Sequence, residues 1–339
     1  MPRLYAFGSN GHGQLGIGHI EDVNRPTPCI GIPDDQFIRK VSGGGNHSAV
    51  ITTQGHVYMA GMSQKGEGLM KQLNQEWTIY QRQYSQHNWK DVSCGWASTL
   101  FVSDKGTVYG VGTSRWHELA GPTTEELVQI QGLEHIISVS CGWRHAVALD
   151  QHGQVYGWGW GKHGQLGACS PENQFDKKKD IRSVHKLNMP QPIVQIACGH
   201  LHTLLLGKDG TVYAFGSNKY QQLEQVPTAA VASIDAGWHH SAALLSQEDR
   251  LVLWGRHDHG QLGKDSIVNH VKQVACGSEH TMAITEDDQV LAWGWNEHGN
   301  CTSDQENVLD PLVAFEQKAC LIAAGCATSW IVVQCTQKN

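Results

Sequence analysis

The amino-acid sequence contains a two-part motif that occurs seven times, and its first and last copies are incomplete in complementary ways. The opening half has the form Val/Ile-x-x-Gly-x-x-His and begins at Val41, Val92, Val139, Ile196, Ile234, Val274 and Ile322. The closing half has the form Tyr-x-x-Gly-x-Asn-x-x-Gly-Gln-Leu, and its first glycine occurs at Gly8, Gly61, Gly112, Gly159, Gly216, Gly255 and Gly294. The motif starts with an unmatched closing half and ends with an unmatched opening half. We therefore expect a closed ring, because an open stack would leave sheet edges unpaired at its ends.

Each unit alternates short apolar segments with turns, which is typical of four short antiparallel strands. One strand leads into Gly-x-x-His, a second leaves it, a tight turn such as Lys105-Gly106 reverses the chain, and a third ends at the closing-half glycine. A fourth strand is expected in the variable linkers. The sequence thus predicts an all-β, seven-bladed β-propeller, forming one domain over residues 1–339 with one blade split between residues 1–30 and 320–335. The strand Arg3–Gly8 should pair with Ile322–Val333.

In such a meander the Gly-x-x-His loops and the closing-half loops lie on the same face of the ring. Residues that recur in every unit are explained by the fold, whereas variable ones are free to carry function. The opening-half glycine is expected to allow a close backbone approach or a positive φ. The histidine three residues later is interpreted as a structural donor to neighbouring backbone rather than as a metal ligand; it occurs at His47, His145, His202, His240 and His280, with Ser98 and Thr328 as departures.

The residue directly after the opening-half glycine varies, yet three units place tryptophan there, at Trp96, Trp143 and Trp238. Trp160 and Trp295 follow closing-half glycines on the same face. Two interpretations stay open: each indole covers the seam of its own blade, or the indoles form a binding patch for a protein partner, where tryptophan is favoured. The predicted partner-binding residues are Trp96, Trp143, Trp238, Trp160, Trp295, Arg144, His239 and Glu279, the last three forming a polar rim.

Motifs that would indicate a catalytic, cofactor or metal site are weak in this sequence. Gly159–Gly164 matches Gly-x-Gly-x-x-Gly but lies in a repeat loop with no following helix, so a dinucleotide site is not expected. His257, Asp258 and His259 alternate as metal ligands can, although one repeat loop explains all three. We expect no enzyme activity, no cofactor and no metal.

Net charge and cysteine positions limit which functions and cellular compartments are compatible with the sequence. The formal net charge of −7 argues against direct DNA binding, and the sequence shows neither a signal peptide nor an apolar run long enough to span a membrane. Cys94, Cys141, Cys198 and Cys276 occupy one repeat position and are expected to be unpaired, buried residues, because equivalent positions on packed sheets are too far apart for a disulfide. The sequence predicts a reduced, cytoplasmic protein and leaves a nuclear pool open.

The repeat resembles that of the regulator-of-chromosome-condensation family of seven-bladed propellers. The resemblance covers nearly the whole chain and is carried by the segments YAFGSNGHGQLG, CGWRHAVAL and VACGSEHTMAI. Further segments, among them Trp293–Cys301 and Gly325–Val333, are most similar to a compact subgroup. That subgroup includes the fungal alpha-tubulin suppressor, also called the killer-toxin-insensitivity propeller, and the vertebrate secretion-regulating guanine-nucleotide-exchange-factor-like protein.

The resemblance to the fungal members implies a heterodimer with a small zinc-ribbon protein of diphthamide biosynthesis. Through that partner it implies roles in diphthamide formation on the translation elongation factor and, indirectly, in Elongator-dependent modification of wobble uridines in tRNA. The alternative is guanine nucleotide exchange on a small GTPase, for which loops 62–91 and 168–194 are long enough to hold a wedge. Chromatin docking is the least favoured because of the acidic balance. The repeats at Thr113–Leu119 and Asn218–Leu223 lack the Gly-Gln-Leu-Gly ending, which weakens a generic family function at those blades.

Overall fold

The computed structural model describes residues 3–62, 76–167 and 180–333, and all regular structure in these ranges is β. In chain order the strands are β1 (Leu4–Gly8), β2 (Val23–Pro28), β3 (Ile38–Gly43), β4 (His47–Thr52), β5 (Val57–Met62), β6 (Glu76–Gln83), β7 (Trp89–Cys94), β8 (Ser98–Ser103), β9 (Val108–Gly112), β10 (Thr124–Gln129), β11 (Ile136–Cys141), β12 (His145–Asp150), β13 (Val155–Trp160) and β14 (Asp180–Leu187). They continue with β15 (Ile193–Cys198), β16 (His202–Gly207), β17 (Val212–Gly216), β18 (Val231–Ala236), β19 (His240–Leu245), β20 (Leu251–Gly255), β21 (Ile267–Val268), β22 (Val271–Cys276), β23 (His280–Thr285), β24 (Val290–Trp295), β25 (Asn307–Phe315), β26 (Leu321–Ala324) and β27 (Thr328–Val332).

These strands form seven antiparallel sheets, the blades of a β-propeller, as the repeats predict. Blade 1 is the split one and has the strand order β2-β1-β27-β26; blades 2, 3 and 4 are β3–β6, β7–β10 and β11–β14. Blade 5 is β15–β17, blade 6 is β18–β21 and blade 7 is β22–β25. The first strand of each opening half lies innermost and the closing-half strand lies third.

Blade 5 differs from the expectation of a fourth strand in every linker, since its sheet has three strands. Residues 217–230, which follow β17, form turns and bends with no strand. The closing half of this blade lacks the Gly-Gln-Leu-Gly ending. The closing half of blade 3 lacks it as well but is followed by the outer strand β10, so loss of that ending does not by itself remove the strand.

Strands β1 and β27 close the ring. They pair in antiparallel register from Leu4 with Val332 to Gly8 with Thr328, and the Val333 amide donates to the Arg3 carbonyl at 3.0 Å. The β1 side chains of Leu4, Ala6 and Phe7 are buried. The predicted pairing is therefore confirmed, and the two halves of blade 1 share one core.

The two glycines that recur in every repeat have different structural roles. The closing-half glycines have a positive φ, as in Gly8 at +106°, where a Cβ would lie 2.3 Å from the Ala327 carbonyl oxygen. The opening-half glycines instead allow close approach. A Cβ at Gly142 would lie 2.2 Å from Cε1 of His145 and 2.6 Å from the carbonyl oxygen of Gly199 in the next blade. Neighbouring inner strands are thus held together backbone to backbone.

The recurring histidines join adjacent blades, but through side chains and not through the backbone contact expected from the sequence. Each Nε2 lies 2.8–3.1 Å from a Ser or Thr hydroxyl at the start of the second strand of the next blade; the pairs are His47–Thr99, His145–Thr203, His202–Ser241, His240–Thr281 and His280–Ser329. Several of these hydroxyls donate onward to a carbonyl, as Thr281 does to Gln261. The hydroxyl then accepts from the imidazole, so Nε2 carries the proton. Where Ser98 replaces histidine, the next blade has Ala146 in place of the hydroxyl residue.

Because Nε2 is the donor, a second proton on these rings would sit on Nδ1, against the glycine and without an acceptor. Nδ1 of His145, His202, His240 and His280 is buried and has no partner among the described residues. Burial accordingly lowers the pKa of the five histidines to about 3 or 4. All five are neutral in the folded protein at pH 7.

The cysteines depart from expectation at one position. Cys94 and Cys276 are buried, Cys141 and Cys198 are partly buried, and all four are free thiols. Cys320, by contrast, is disulfide-bonded, so the prediction of a fully reduced chain is wrong there. The distance between packed sheets excludes disulfides only among cysteines of one repeat position, and Cys320 does not occupy that position.

We expect deletion of residues 1–8 to abolish the single cooperative thermal transition, because β27 and β2 would lose their shared neighbour and the blade 1 core would open. Differential scanning calorimetry measures this. A melt identical to that of the intact chain would contradict the closure.

A milder test uses two glycines of the same segment. Gly8→Ala should lower the free energy of unfolding by about 2 kcal/mol or more, since alanine disfavours the positive φ and its Cβ would collide with a carbonyl oxygen. Gly11→Ala is the matched control: no atom lies within 4 Å of its Cβ position, and its φ is not in the left-handed region. Urea unfolding should therefore separate the two variants, and equal losses would be inconsistent with the packing at Gly8.

The low pKa values of the five interblade histidines predict that the free energy of unfolding falls steeply in mild acid. Histidine has an ordinary pKa of 6.5, and in the folded chain the pKa is about 4. Between these two pH values the unfolded chain binds protons that the folded chain does not bind, so unfolding becomes more favourable as the pH falls. Each histidine contributes about 1.4 kcal/mol per pH unit, and the five together contribute about 6 kcal/mol per pH unit near pH 5. Urea unfolding at pH 7, 6 and 5 measures the slope. His280→Gln should reduce the slope by about one fifth, whereas the same change at exposed His257 should leave it unaltered.

Candidate functional site

The seven inner strands surround an axial channel of about 510 Å³. Serine side chains on three of these strands accept a backbone amide of the next blade: Ser42 from Cys94 at 2.9 Å, Ser93 from Cys141 at 2.9 Å and Ser140 from Cys198 at 3.0 Å. In blade 6 the corresponding residue is Asp235, whose carboxylate accepts the Cys276 amide at 2.7 Å. Burial raises the pKa of Asp235 to about 6. The polar groups of the channel wall are thus used mainly to join blades.

At one mouth of the channel, the variable residues after the opening-half glycines stand in a ring. Their backbones are linked from blade to blade, for example Trp143 N to His200 O at 3.3 Å and His200 N to Trp238 O at 3.2 Å. The main chain is therefore fixed while the side chains differ. The ring consists of Gly45, Trp96, Trp143, His200, Trp238, Ser278 and Cys326.

Four of these side chains meet over the mouth, and we call Trp96, Trp143, His200 and Trp238 the aromatic cluster. The His200 imidazole stacks on Trp143, with ring centroids 4.4 Å apart and planes inclined by 25°, and lies 5.1 Å from Trp238. Trp96 of blade 3 reaches Trp238 of blade 6 at 5.8 Å although two blades separate them in the ring. The indoles consequently contact each other across the mouth and do not each cover a separate seam.

Trp96 is the most accessible member, with 47% of its surface exposed. Its place depends on Gly45 in the neighbouring blade. A Cβ at Gly45 would lie 2.6 Å from the Trp96 carbonyl oxygen and 3.2 Å from Cδ2 of the indole. Glycine at this position is therefore required by packing, although the column was expected to accept any residue.

Arg144 extends the cluster outward along blade 4. Its guanidinium carbon lies 3.4 Å from the Trp143 ring centroid, 4.6 Å from that of Trp116 and 5.2 Å from that of Trp160. Trp160 in turn contacts Trp143 at 6.2 Å. Cation–π attraction of this kind favours a flat, ordered guanidinium. Burial lowers the pKa of Arg144 from its ordinary value, but the group stays charged at neutral pH.

A second polar group lies on the other side of the cluster and is centred on the buried carboxylate of Glu279. His239 Nδ1 bonds to Oε1, Arg256 donates to the same oxygen at 3.1 Å, and Gln261 donates to Oε2 at 2.6 Å. Burial works to raise the pKa of Glu279, but the bonds from His239 and Gln261 outweigh it and hold the pKa below its ordinary value. His239 also contacts His200 at 5.2 Å, so this network joins the cluster.

Trp295 does not contact the aromatic cluster directly. Its ring contacts are with His259 at 6.5 Å and His298 at 5.6 Å, and His259 lies 3.2 Å from Arg256 of the Glu279 network. The structure therefore brings Trp96, Trp143, Trp238, Trp160, Arg144, His239 and Glu279 into one connected surface. Trp295 joins its edge through His259 and Arg256.

Sequence reasoning missed His200, Trp116, Tyr220 and Arg256. His200 occupies the same variable column as the three tryptophans, which was a usable signal. Tyr220 contacts His239 at 4.9 Å, and Arg256 lies 5.2 Å from the Tyr220 ring. These contacts join neighbouring blades and are not visible in the repeat alignment.

The titratable side chains at the centre of this surface are neutral or already paired. Burial lowers the pKa of His200 to about 4, so its imidazole is neutral at pH 7. Asp258 pairs with Arg256 at 2.7 Å and His259 bonds to Asn307 at 3.0 Å, so neither is arranged around a metal. In residues 3–62, 76–167 and 180–333, no three His, Cys, Asp or Glu side chains converge as metal ligands. Nor does any helix in that part of the chain have the length and apolar character needed to cross a membrane.

Comparisons with known proteins agree with this architecture. An RCC1 repeat-containing protein of Schizosaccharomyces pombe is 29% identical over 98% of this chain and 99% of its own length. The secretion-regulating guanine nucleotide exchange factor of Bos taurus is 28% identical, covering 83% of this chain and 72% of the relative. Among solved structures, Prp20p of Saccharomyces cerevisiae superposes with a TM-score of 0.85 at 21% identity, over 99% of this chain and 92% of that one. Residues 3–331 match the family model described as an RCC1-like domain, and the chain therefore belongs to the RCC1-like propeller family.

Proposed function

We propose that this propeller is a non-enzymatic adaptor whose aromatic cluster binds a small zinc-ribbon protein of diphthamide biosynthesis. In that heterodimer it regulates diphthamide formation on the translation elongation factor. Through the same partner it acts on Elongator-dependent modification of wobble uridines in tRNA. The zinc-ribbon protein supplies the metal chemistry and the propeller supplies the docking face.

The observation that carries the binding role is the half-exposed Trp96 at the edge of a packed group of rings. Its indole contacts Trp238 at 5.8 Å, and Trp238 lies beside His200, which stacks on Trp143. The contact with Trp238 and the close packing against Gly45 restrain the indole, which therefore loses less conformational freedom on binding. Large aromatic side chains of this kind dominate binding energy in protein interfaces. The face is built on backbone-linked blades, which keeps its shape fixed.

The identity of the partner is supported by the resemblance of segments such as Trp293–Cys301 to the fungal subgroup. The similarity to the S. pombe protein over nearly the full length of both chains is compatible with that assignment. A partner that serves translation places the protein in the cytoplasm, with a nuclear pool left open. The net charge of −7 disfavours direct contact with nucleic acid.

Trp96→Ala should weaken binding of the copurified partner by about 30-fold, which corresponds to the loss of about 2 kcal/mol at an interface anchor. The thermal transition should change little because much of the side chain is in solvent. Isothermal titration calorimetry measures the affinity, and mass spectrometry with zinc analysis of the copurified complex identifies the partner.

Trp295→Ala is the matched control, since it removes an indole from the same face but outside the cluster. Trp143→Ala and Trp238→Ala should weaken binding as Trp96→Ala does. Unchanged affinity in all three cluster variants would move the interface elsewhere. Gentle copurification that yields no small zinc-ribbon protein would rule out the assigned partner.

The alternative function is guanine nucleotide exchange on a small GTPase, and the similarity to the Bos taurus exchange factor favours it. Nucleotide release measured over a panel of GTPases decides between the two. Acceleration that is lost in Trp96→Ala would assign the face to a GTPase. Much of the two loops considered for a wedge, residues 63–75 and 168–179, lies outside the described residues.

A further inference from the structure

We propose that Arg144 is an anion-recognition point on this face and that it takes a carboxylate from an acidic segment of the partner protein. This inference rests on the proposed function in one respect, namely that the aromatic face docks a protein. It adds the chemistry that the partner must present at blade 4.

Three indole rings surround the Arg144 side chain. Its guanidinium lies against the Trp143 face at 3.4 Å, with Trp116 and Trp160 within 5.2 Å. Stacking of this kind uses the faces of the planar group and leaves its N–H edges in the plane. Those edges match the two oxygens of a carboxylate, which is the geometry that makes arginine a bidentate donor.

Within the described part of the chain, those N–H edges have no partner. No carboxylate there forms an ion pair with Arg144, and its guanidinium donates no hydrogen bond, although the side chain is half-buried. The nearest acidic residue, Glu118, acts on Arg144 only through its charge, while one of its oxygens accepts the Trp116 amide at 2.7 Å. A positioned, partly dehydrated cation without a counter-ion gains more from a carboxylate than a fully hydrated one would.

Arg256, on the same face, is an arginine whose charge is paired with carboxylates of the protein itself. Its Nε lies 2.7 Å from Asp258 and its Nη1 lies 3.1 Å from Glu279. Both arginines lie near an aromatic ring, yet only Arg256 is paired inside the described structure. The difference distinguishes Arg144 as the arginine of this face that is free to take a counter-ion from outside this part of the chain.

The charge around the site favours a carboxylate over a phosphate backbone. Arg115 is exposed and close enough to Arg144 for its charge to lower the pKa of Arg144, and Lys162 is exposed in the closing-half loop of blade 4. Glu118 is the acidic neighbour, so this edge of blades 3 and 4 keeps a net positive charge. At the same end of the propeller, blades 7 and 1 form an acidic pocket lined by Asp22, Glu297, Asp304 and Glu306. A nucleic-acid strand, with its closely spaced charges, would be repelled by that pocket and by the net charge of −7. A folded protein with acidic side chains over blade 4 and basic ones over blades 7 and 1 complements both edges.

Two probes test the proposal on the intact protein. The first is the copurified zinc-ribbon partner, titrated against the wild type, Arg144→Gln, Arg144→Lys and Arg115→Gln at 50 and 300 mM salt. Arg144→Gln should weaken binding about 30-fold or more and Arg144→Lys by less, because lysine keeps the charge but not the paired N–H edges. Arg115→Gln removes the same charge from the same edge and should change the affinity less than about twofold.

The second probe is a fluorescein-labelled decapeptide of alternating Glu and Gly, compared with its Gln-Gly counterpart by fluorescence anisotropy. The wild type should prefer the Glu peptide, and Arg144→Gln should abolish that preference. Cooperative melting of each variant confirms that it is folded. Preference for the Glu peptide that depends on Arg144 would support the inference even if the zinc-ribbon protein fails to bind, which would refute the proposed function alone.

The inference is overturned if the zinc-ribbon protein binds and Arg144→Gln leaves its affinity unchanged, although the proposed function then stands. It is also overturned if Arg115→Gln and Arg144→Gln cause equal losses, because the basic edge would then act diffusely. Tighter Arg144-dependent binding of a polyuridine oligonucleotide than of the Glu peptide would replace the carboxylate with a phosphate. Absence of any Arg144 dependence with both probes would exclude the site.

Discussion

The contact on which this propeller depends is the one between the opening-half glycine, the imidazole of its own blade and the backbone of the next blade. At Gly142 both His145 and the Gly199 carbonyl occupy the space that a Cβ would need. The same contact occurs at five of the seven opening-half glycines and sets how closely the inner strands approach the axis. It also positions the residue that follows each of these glycines at the channel mouth. The aromatic face at the mouth is therefore a direct result of blade packing.

The interblade histidines illustrate how a polar group can be structural without being reactive. Each uses Nε2 to reach the hydroxyl of the next blade, and in four of the five the buried Nδ1 has no hydrogen-bond partner among the described residues. Burial then favours the neutral ring. Five of the twenty histidines of the chain are explained by blade packing in this way. Function is left to the positions that the seam does not use.

The sequence predicts the ring, the strand order within a blade and the closure of blade 1, because all three follow from a repeat that is local in the chain. It also predicts which face carries Trp96, Trp143 and Trp238. It does not predict that Trp96 meets Trp238, since that contact joins non-adjacent blades and depends on the curvature of the ring. The Glu279 network is hidden for a similar reason: Glu279 belongs to blade 7, whereas His239, Arg256 and Gln261 belong to blade 6 and to different repeat columns. The missing fourth strand of blade 5 and the disulfide at Cys320 lie in linkers outside the repeated motif, so the motif does not predict them.

The frame of packed blades carries one variable ring of side chains with distinct apolar and charged regions. The aromatic cluster offers a flat apolar centre, Arg144 and its neighbours a basic edge, and the pocket of blades 7 and 1 an acidic one. Such polarity orients a partner as well as attracting it. Relatives that share the frame can thus differ in what they bind by changing only a few residues at the mouth.

The pairing of β1 with β27 has a consequence for biosynthesis. Gly8 and Thr328 are neighbours in the sheet but lie about 320 residues apart in the chain, so β1 leaves the ribosome long before its partner exists. At about 5–20 residues per second, the delay amounts to roughly 15–60 s. During that time β1, with Leu4 and Phe7, can pair with β2 on one side only. Its other edge stays unpaired until β27 is made, so closure of the ring has to wait for the last strand of the chain.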